Sequence, residues 1–136
     1  MTIKSCLSLV REAKQKIKSI NFKKALKLHS EGETMFIDLR DIRELEKIGK
    51  IKNAKHVPRG MLEFWIDPNS PYYRDYFDAK NKFIFYCASG WRSSLSTRTA
   101  FEMGLNNVLN LENGFDDWIN QNGPVEKLNK KQILFD

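Results

Sequence analysis

The sequence predicts an α/β fold with a central, mainly parallel sheet of about five strands and helices on both faces. Three observations predict it. Short apolar runs around Ser19-Ile20, Met35–Ile37, Lys55–Val57, Phe83–Tyr86 and Val108–Leu111 alternate with segments of helical period. The strongest of these runs are continuously apolar, as strands buried on both faces are. Charged or reactive residues follow two of them directly: Asp38-Leu39-Arg40-Asp41 after Ile37, and Cys87 after Tyr86. The carboxyl edge of such a sheet is where these folds bind ligands.

The elements follow in order. Ile3, Cys6 or Leu7, Val10, Ala13 or Lys14, and Ile17 recur at three- and four-residue steps, which predicts an amphipathic helix with its lysines in water. A short strand around Ser19-Ile20 comes next, and Asn21 is placed to cap a helix through Phe22, Ala25, Leu26 and Leu28. His29, near that helix's end, reads as a surface residue complementing the dipole. Glu31-Gly32-Glu33 ends the helix, and the strand Met35–Ile37 follows. Residues Ile42 to Ile48 predict a short charged helix ended by Gly49. Lys55–Val57 is a third short strand closed by Pro58, with His56 half-buried in it. Residues Arg59 to Phe77 read as irregular and aromatic, packing against an edge of the core. A helix from about Arg92 to Met103 is capped by Gly104. Val108–Leu111 reads as the last strand, and Phe115 to Asn120 as a final helix ended by Asn122-Gly123-Pro124. The tail from Lys127 to Asp136 is polar apart from Ile133, Leu134 and Phe135.

The size of 136 residues fits one domain. Residues 1–17 supply the N-terminal helix, about 19–125 the core, and the rest a short C-terminal tail. Hydrophobic residues make up 41% and charged residues 29%, the balance of a water-soluble globular protein. No apolar run approaches the ~18 residues of a membrane span. Charges punctuate the first 17 residues, so no secretory h-region is expected there. A cytoplasmic location and no membrane partner are therefore expected. The net charge of +6 is spread over scattered lysines. With no dense basic run or nucleic-acid motif, it predicts a solvated surface rather than a nucleic-acid partner. A positive field would assist the uptake of small anions.

Cys87 is the candidate nucleophile. A strand that ends in a cysteine, turns through Ala88-Ser89-Gly90-Trp91 and opens a helix at Arg92-Ser93-Ser94 sets the thiol at a helix N-terminus. There, unpaired N–H groups and the positive dipole end favour an anion, first of all the thiolate itself. Gly90 permits a turn that other residues resist. Arg92 adds a cation and a planar donor fork. Cys6 lacks such a setting and reads as a buried, inert small hydrophobe. The contrast between the two cysteines argues against a disulfide framework.

These stretches resemble the rhodanese family of single-domain sulfurtransferases. Phe36-Ile37-Asp38-Leu39-Arg40 is similar to its strand ending in Asp-x-Arg. Gly49 to Ala54, followed by Val57-Pro58, resembles its Gly-His-Ile-Pro-Gly-Ala segment. Cys87 to Ser93 is similar to its active-site loop. Asn107-Val108 through Leu111, with Asn113-Gly114-Phe115 and Trp118, resembles its C-terminal signature. The resemblance covers about Ser19 to Val125. Lys50, Lys52, Asn53 and Asn113 depart from it, standing for a histidine, a proline and two glycines.

The resemblance implies a rhodanese-like fold and a thiosulfate sulfurtransferase-like activity. Cys87 would be the catalytic residue, and Ala88, Ser89, Gly90, Trp91, Arg92 and Ser93 the loop that binds substrate. Cys87 would take sulfane sulfur from a small anionic donor such as thiosulfate, hold it as a persulfide and pass it to cyanide or a thiol, without metal or organic cofactor. The N–H groups of Ala88 to Arg92 would stabilise the anionic sulfur. Asp38, Arg40 and Arg59 would be supporting residues, with Arg92 binding the donor or pairing with a carboxylate such as Asp38. A protein sulfur carrier is a possible partner, in a persulfide relay or a non-catalytic binding module. Related phosphatases carry five residues between cysteine and arginine. Only four separate Cys87 from Arg92, which weighs against a phosphatase or arsenate reductase.

Overall fold

In the computed structural model, which describes residues 2–128, five strands form one parallel sheet and two more form a small antiparallel ribbon. The chain runs α1 (Cys6–Lys16), β1 (Lys18–Ile20), α2 (Phe22–Glu31), β2 (Thr34–Asp38), α3 (Ile42–Ile48), β3 (Lys50–Ile51) and β4 (Lys55–His56). A 3-10 turn (Arg59–Met61), α4 (Leu62–Ile66), β5 (Lys82–Tyr86), α5 (Trp91–Glu102), β6 (Val108–Leu111), α6 (Gly114–Asn120) and β7 (Val125–Glu126) complete it. The large sheet has the order β1-β6-β5-β2-β4, which makes β5 its central strand. β3 and β7 pair as the ribbon, Lys50 opposite Glu126 and Ile51 opposite Val125.

The central strand shows why its apolar run is unbroken. Side chains alternate across a strand. Phe83 and Phe85 pack on one face with Ile37, Leu62, Phe77, Ala100 and Val108. Ile84 and Tyr86 pack on the other with Ala25, Phe36, Leu111, Phe115 and Trp118. α4 and α5 thus cover one face, and α2 and α6 the other. α1 lies on α5 and buries Val10 and Ala13.

The caps agree with the sequence at several points. Asn21 Oδ1 accepts from the N–H of Lys24 at 3.0 Å, and Gly32 ends α2 in the left-handed region. α3 ends at Gly49 as expected. Asn53, where the family pattern has a glycine, itself adopts φ +68°, a conformation asparagine tolerates better than most residues.

Other points are corrected. Ile3 lies outside α1 and is 94% exposed, and Cys6 opens that helix as an exposed residue rather than a buried one. His29 packs edge-on against Phe36 and Trp118, with Nε2 2.8 Å from Lys52 O. His56 is buried, and its Nε2 donates to Arg40 O at 2.7 Å. Residues 59–66 are helical, and β7 follows Val108–Leu111. Phe77 is buried, with Trp65, Tyr73 and Tyr76 against the same core. Phe64 and Tyr72 stay exposed. Ile133, Leu134 and Phe135 lie outside the described residues.

Candidate active site

β5 ends at Tyr86, so Cys87 stands at the carboxyl edge of the central strand. Its residue is 1% exposed. The loop Cys87–Gly90 curls so that two N–H groups meet the sulfur. Gly90 donates to Sγ at 3.2 Å and Ser93 at 3.3 Å, while Ser93 Oγ lies 3.5 Å from it. Ser93 belongs to the first turn of α5, where N–H groups have no partner within the helix. The backbone donors to Sγ itself are thus Gly90 and Ser93. The Ser93 and Ser94 hydroxyls donate in turn to Gly90 O, at 3.3 and 2.5 Å.

The curl depends on two glycines. Gly90 has φ +105°, and a Cβ there would stand 2.5 Å from Glu112 O. Gly114 has φ +67°, and a Cβ there would stand 2.7 Å from Cys87 O. Gly114 therefore lets the start of α6 close on the loop. The N–H of Phe115 donates to Cys87 O at 2.8 Å, and that of Asp116 to Ala88 O at 3.1 Å.

Behind the loop lies a buried ion pair. Arg40 Nε and NH2 grip the Asp38 carboxylate at 3.0 and 2.8 Å, and NH2 also donates to Gly49 O at 2.7 Å. Both side chains are at most 1% exposed. The guanidinium carbon lies 4.1 Å from the centroid of Phe115, a cation–π contact that holds α6 over the pair. Burial works against the charge of Arg40. The hydrogen bonds and charge of Asp38 outweigh it, so the Arg40 pKa is raised. Burial first, and Asp38 second, push the Tyr86 phenol well up. Tyr86 thus stays a neutral acceptor for the N–H of Ile51 at 3.1 Å. Lys50, where the family pattern has a histidine, is buried too. Its Nζ donates to Ala54 O and lies 3.3 Å from Glu126 Oε1, tying the 51–54 turn to β7.

The partner of Arg92 is Glu44, which the sequence reading missed. NH1 and NH2 donate to its two carboxylate oxygens at 2.7 and 3.1 Å. Asp38, the carboxylate suggested by the sequence, is instead committed to Arg40. Hydrogen bonding to Arg92 holds the Glu44 carboxyl below its ordinary value, and the same bond raises Arg92. Cys87 adds a smaller contribution in the same direction to the raised pKa of Arg92. The signal for Glu44 was its place in the first turn of α3, the helix that leaves the carboxyl edge of β2.

The structure therefore brings Cys87, Gly90, Ser93, Arg92 and Glu44 together. Ser89 and Trp91 lie exposed on the loop and Ala88 is half-buried. Arg59 sits exposed on the 3-10 turn. Among the described residues no cluster of three His, Cys, Asp or Glu side chains is arranged to hold a metal, and no helix is long and apolar enough to cross a membrane.

Known proteins share the sequence and fold around this site. A curated Arabidopsis thaliana relative, rhodanese-like domain-containing protein 17, is 29% identical over 132 residues, covering 89% of this chain and 80% of its own. A structure from Rhodopseudomonas palustris, described as of unknown function and a possible tyrosine phosphatase, is 42% identical. It superposes with a TM-score of 0.88 over 93% of this chain and 98% of its own. The polysulfide–sulfur transferase homodimer of Wolinella succinogenes is 30% identical, with a TM-score of 0.71 over 89% and 86% of the two chains. Residues 21–121, which carry the Asp38 edge, the Cys87 loop and the start of α6, match the rhodanese-like domain, and the chain belongs to that family.

Proposed function

We propose that this protein is a sulfurtransferase that moves sulfane sulfur from a donor such as thiosulfate to a thiophilic acceptor, cyanide or a thiol, through a persulfide on Cys87. The observation that carries this reading is the pair of N–H groups, from Gly90 and Ser93, converging on Cys87 Sγ at a helix N-terminus. Such donors favour the thiolate and its persulfide, as an oxyanion hole favours a developing oxyanion.

The chemistry runs in two half-reactions. Cys87 thiolate attacks the outer sulfur of thiosulfate. A new S–S bond forms, the donor's S–S bond breaks, and sulfite leaves with its electron pair. The acceptor thiolate or cyanide then attacks the outer sulfur of the persulfide and releases Cys87 as thiolate. Each step is a sulfur-to-nucleophile displacement with no net change in electrons, and ping-pong kinetics follow. The polysulfide–sulfur transferase likeness supports sulfane sulfur as the transferred group. In a cell the same persulfide could be received from, or passed to, a protein sulfur carrier.

The possible tyrosine phosphatase of similar fold raises phosphate-ester cleavage as a second reading. Loop length weighs against it: four residues, not five, separate Cys87 from Arg92.

The test is intact mass after incubation with thiosulfate. A gain of one sulfur atom is expected, absent in Cys87→Ser. No gain with thiosulfate, together with turnover of an aryl phosphate, would replace this reading by the phosphatase one.

A further inference from the structure

We propose that Glu44 selects sulfur donors by charge, disfavouring donors that bring a second anionic group to Arg92 and favouring persulfides R–S–SH whose organic part R is uncharged. This rests on the reading of Cys87 as the sulfur-carrying nucleophile and names the donor class of that same site.

Arg92 has little of its fork left to give a ligand. A guanidinium recognises a sulfonate or carboxylate through a two-pronged fork. NH1 and NH2 are the prongs, and both are on Glu44, at 2.7 and 3.1 Å. The pair is partly open to water, each side chain being 34% exposed, so a ligand can reach it. A thiosulfate whose outer sulfur meets Cys87 brings its sulfonate toward this cation. It must then displace Glu44 from the fork or bind beside it and suffer its repulsion. Either way the carboxylate raises the cost of binding a dianion. A donor of the form R–S–SH with an uncharged R meets no such conflict.

The charges around the pair are mixed in sign. A shallow depression beside the pair is lined by Asp41, Arg43, Glu44 and Lys47. Arg43 there donates to Asp41 at 2.9 Å. Lys47 is the other cation on this wall, on α3 with Glu44. One acid of the depression therefore holds Arg43 and the other holds Arg92.

The favoured step balances without a further reactant. Cys87 thiolate attacks the terminal sulfur of R–S–SH. The Cys87–sulfur bond forms, the donor's S–S bond breaks, and the thiolate R–S⁻ leaves with the pair of electrons. The proton stays on the transferred sulfur.

The experiment compares two donors in the wild type and in Glu44→Gln, which keeps the side chain's shape and removes its charge. The donors are thiosulfate and the persulfide of N-acetylcysteine methyl ester, whose organic part is uncharged. The expected result is a rise of about tenfold in the thiosulfate-to-persulfide ratio of kcat/KM, or about 1.4 kcal/mol. The change should be carried by a lower KM for thiosulfate. Glu44→Asp, which restores the charge, should return the ratio toward that of the wild type. A structural role alone would move both donors together and mainly kcat. Should Glu44→Gln fold poorly, competition by sulfate against the persulfide donor in wild type and Glu44→Ala gives the same reading, with tighter inhibition expected in the variant. An unchanged ratio, or a higher KM for thiosulfate in Glu44→Gln, overturns the role of Glu44 while leaving Cys87 persulfide intact. If neither donor adds sulfur to Cys87 in the wild type, both proposals fall together.

Discussion

Arg40 and Arg92 stand at the same edge of the sheet, and each grips a carboxylate with both arms. Arg40 holds Asp38 at 3.0 and 2.8 Å, and Arg92 holds Glu44 at 2.7 and 3.1 Å. The chemistry of the two pairs is the same and their solvent is not. The first pair is at most 1% exposed and the second is 34% exposed on both sides. A buried pair cannot be opened without stranding a charge in a low-dielectric interior. A pair half in water can exchange one partner for another at small cost. The sheet edge thus has one arginine buried beneath the loop and another that solvent can reach.

This difference sets the size of the mutational effects. The largest is expected for Asp38→Ala. It would leave Arg40 buried, with Gly49 O and the faces of Phe115 and Tyr86 for its charge. Removing one partner of a buried pair costs about 3–5 kcal/mol. Urea unfolding of the variant should show that loss as a lower midpoint with the denaturant slope unchanged. A loss below about 1 kcal/mol would mean that the Asp38–Arg40 pair does not hold the fold, and the contrast between the two arginines would collapse.

The next effect is on activity rather than stability. Arg92→Lys keeps the charge and loses the fork. Sulfur transfer from thiosulfate should fall about ten- to a hundredfold, a loss of about 1.4–2.7 kcal/mol in transition-state stabilisation. The melting temperature should stay close to that of the wild type. A variant that melts much earlier with its turnover intact would reverse the assignment and make Arg92 the structural member.

The same contrast explains what could be read in the sequence and what could not. Buried strands announce themselves by composition, so Phe83–Tyr86 and its neighbours were legible, and so was the place of Cys87 between the end of β5 and the start of α5. Turn chemistry made Asn21, Gly32 and Gly49 legible as helix ends. The β3–β7 ribbon was not, because two-residue strands carry no period and Lys50 and Glu126 meet only through the fold. α4 was hidden among Gly60, Pro68 and the aromatic cluster, where no 3.6-residue pattern stands out. Cys6 opens α1 and Ile3 precedes it, where an apolar residue need not find a core. Of the two arginine pairs, Asp38 and Arg40 are two residues apart and stand together in the sequence. Arg92 and Glu44 are 48 residues apart, and the place of Glu44 in the first turn of α3 does not by itself name Arg92 as its partner.

The smallest effect is the sharpest test, because its pH dependence has a definite sign. Glu44 has its pKa lowered in the folded protein, chiefly by its hydrogen bond to Arg92. A carboxyl of lowered folded pKa contributes stability that is fully present above its unfolded value, about 4.3. That contribution is lost as pH falls through the folded value. The pair is partly in water, so its worth at neutral pH is below about 1 kcal/mol. Glu44→Gln should therefore be slightly less stable than the wild type from about pH 5 to 8, by a constant margin. Below about pH 4.3 the margin should shrink toward zero, because the wild-type Glu44 is then being protonated while glutamine does not titrate. Every other titrating group is common to both proteins and largely cancels in the difference. Added salt should narrow the neutral-pH margin as well, since exposed charges are screened. Thermal melts of the two proteins across this pH range supply the measurement. A margin that holds steady or grows as the solution is acidified would show that Glu44 stabilises the fold through packing and not through its charge. Arg92 would then not be held in the way that makes it free to answer a ligand.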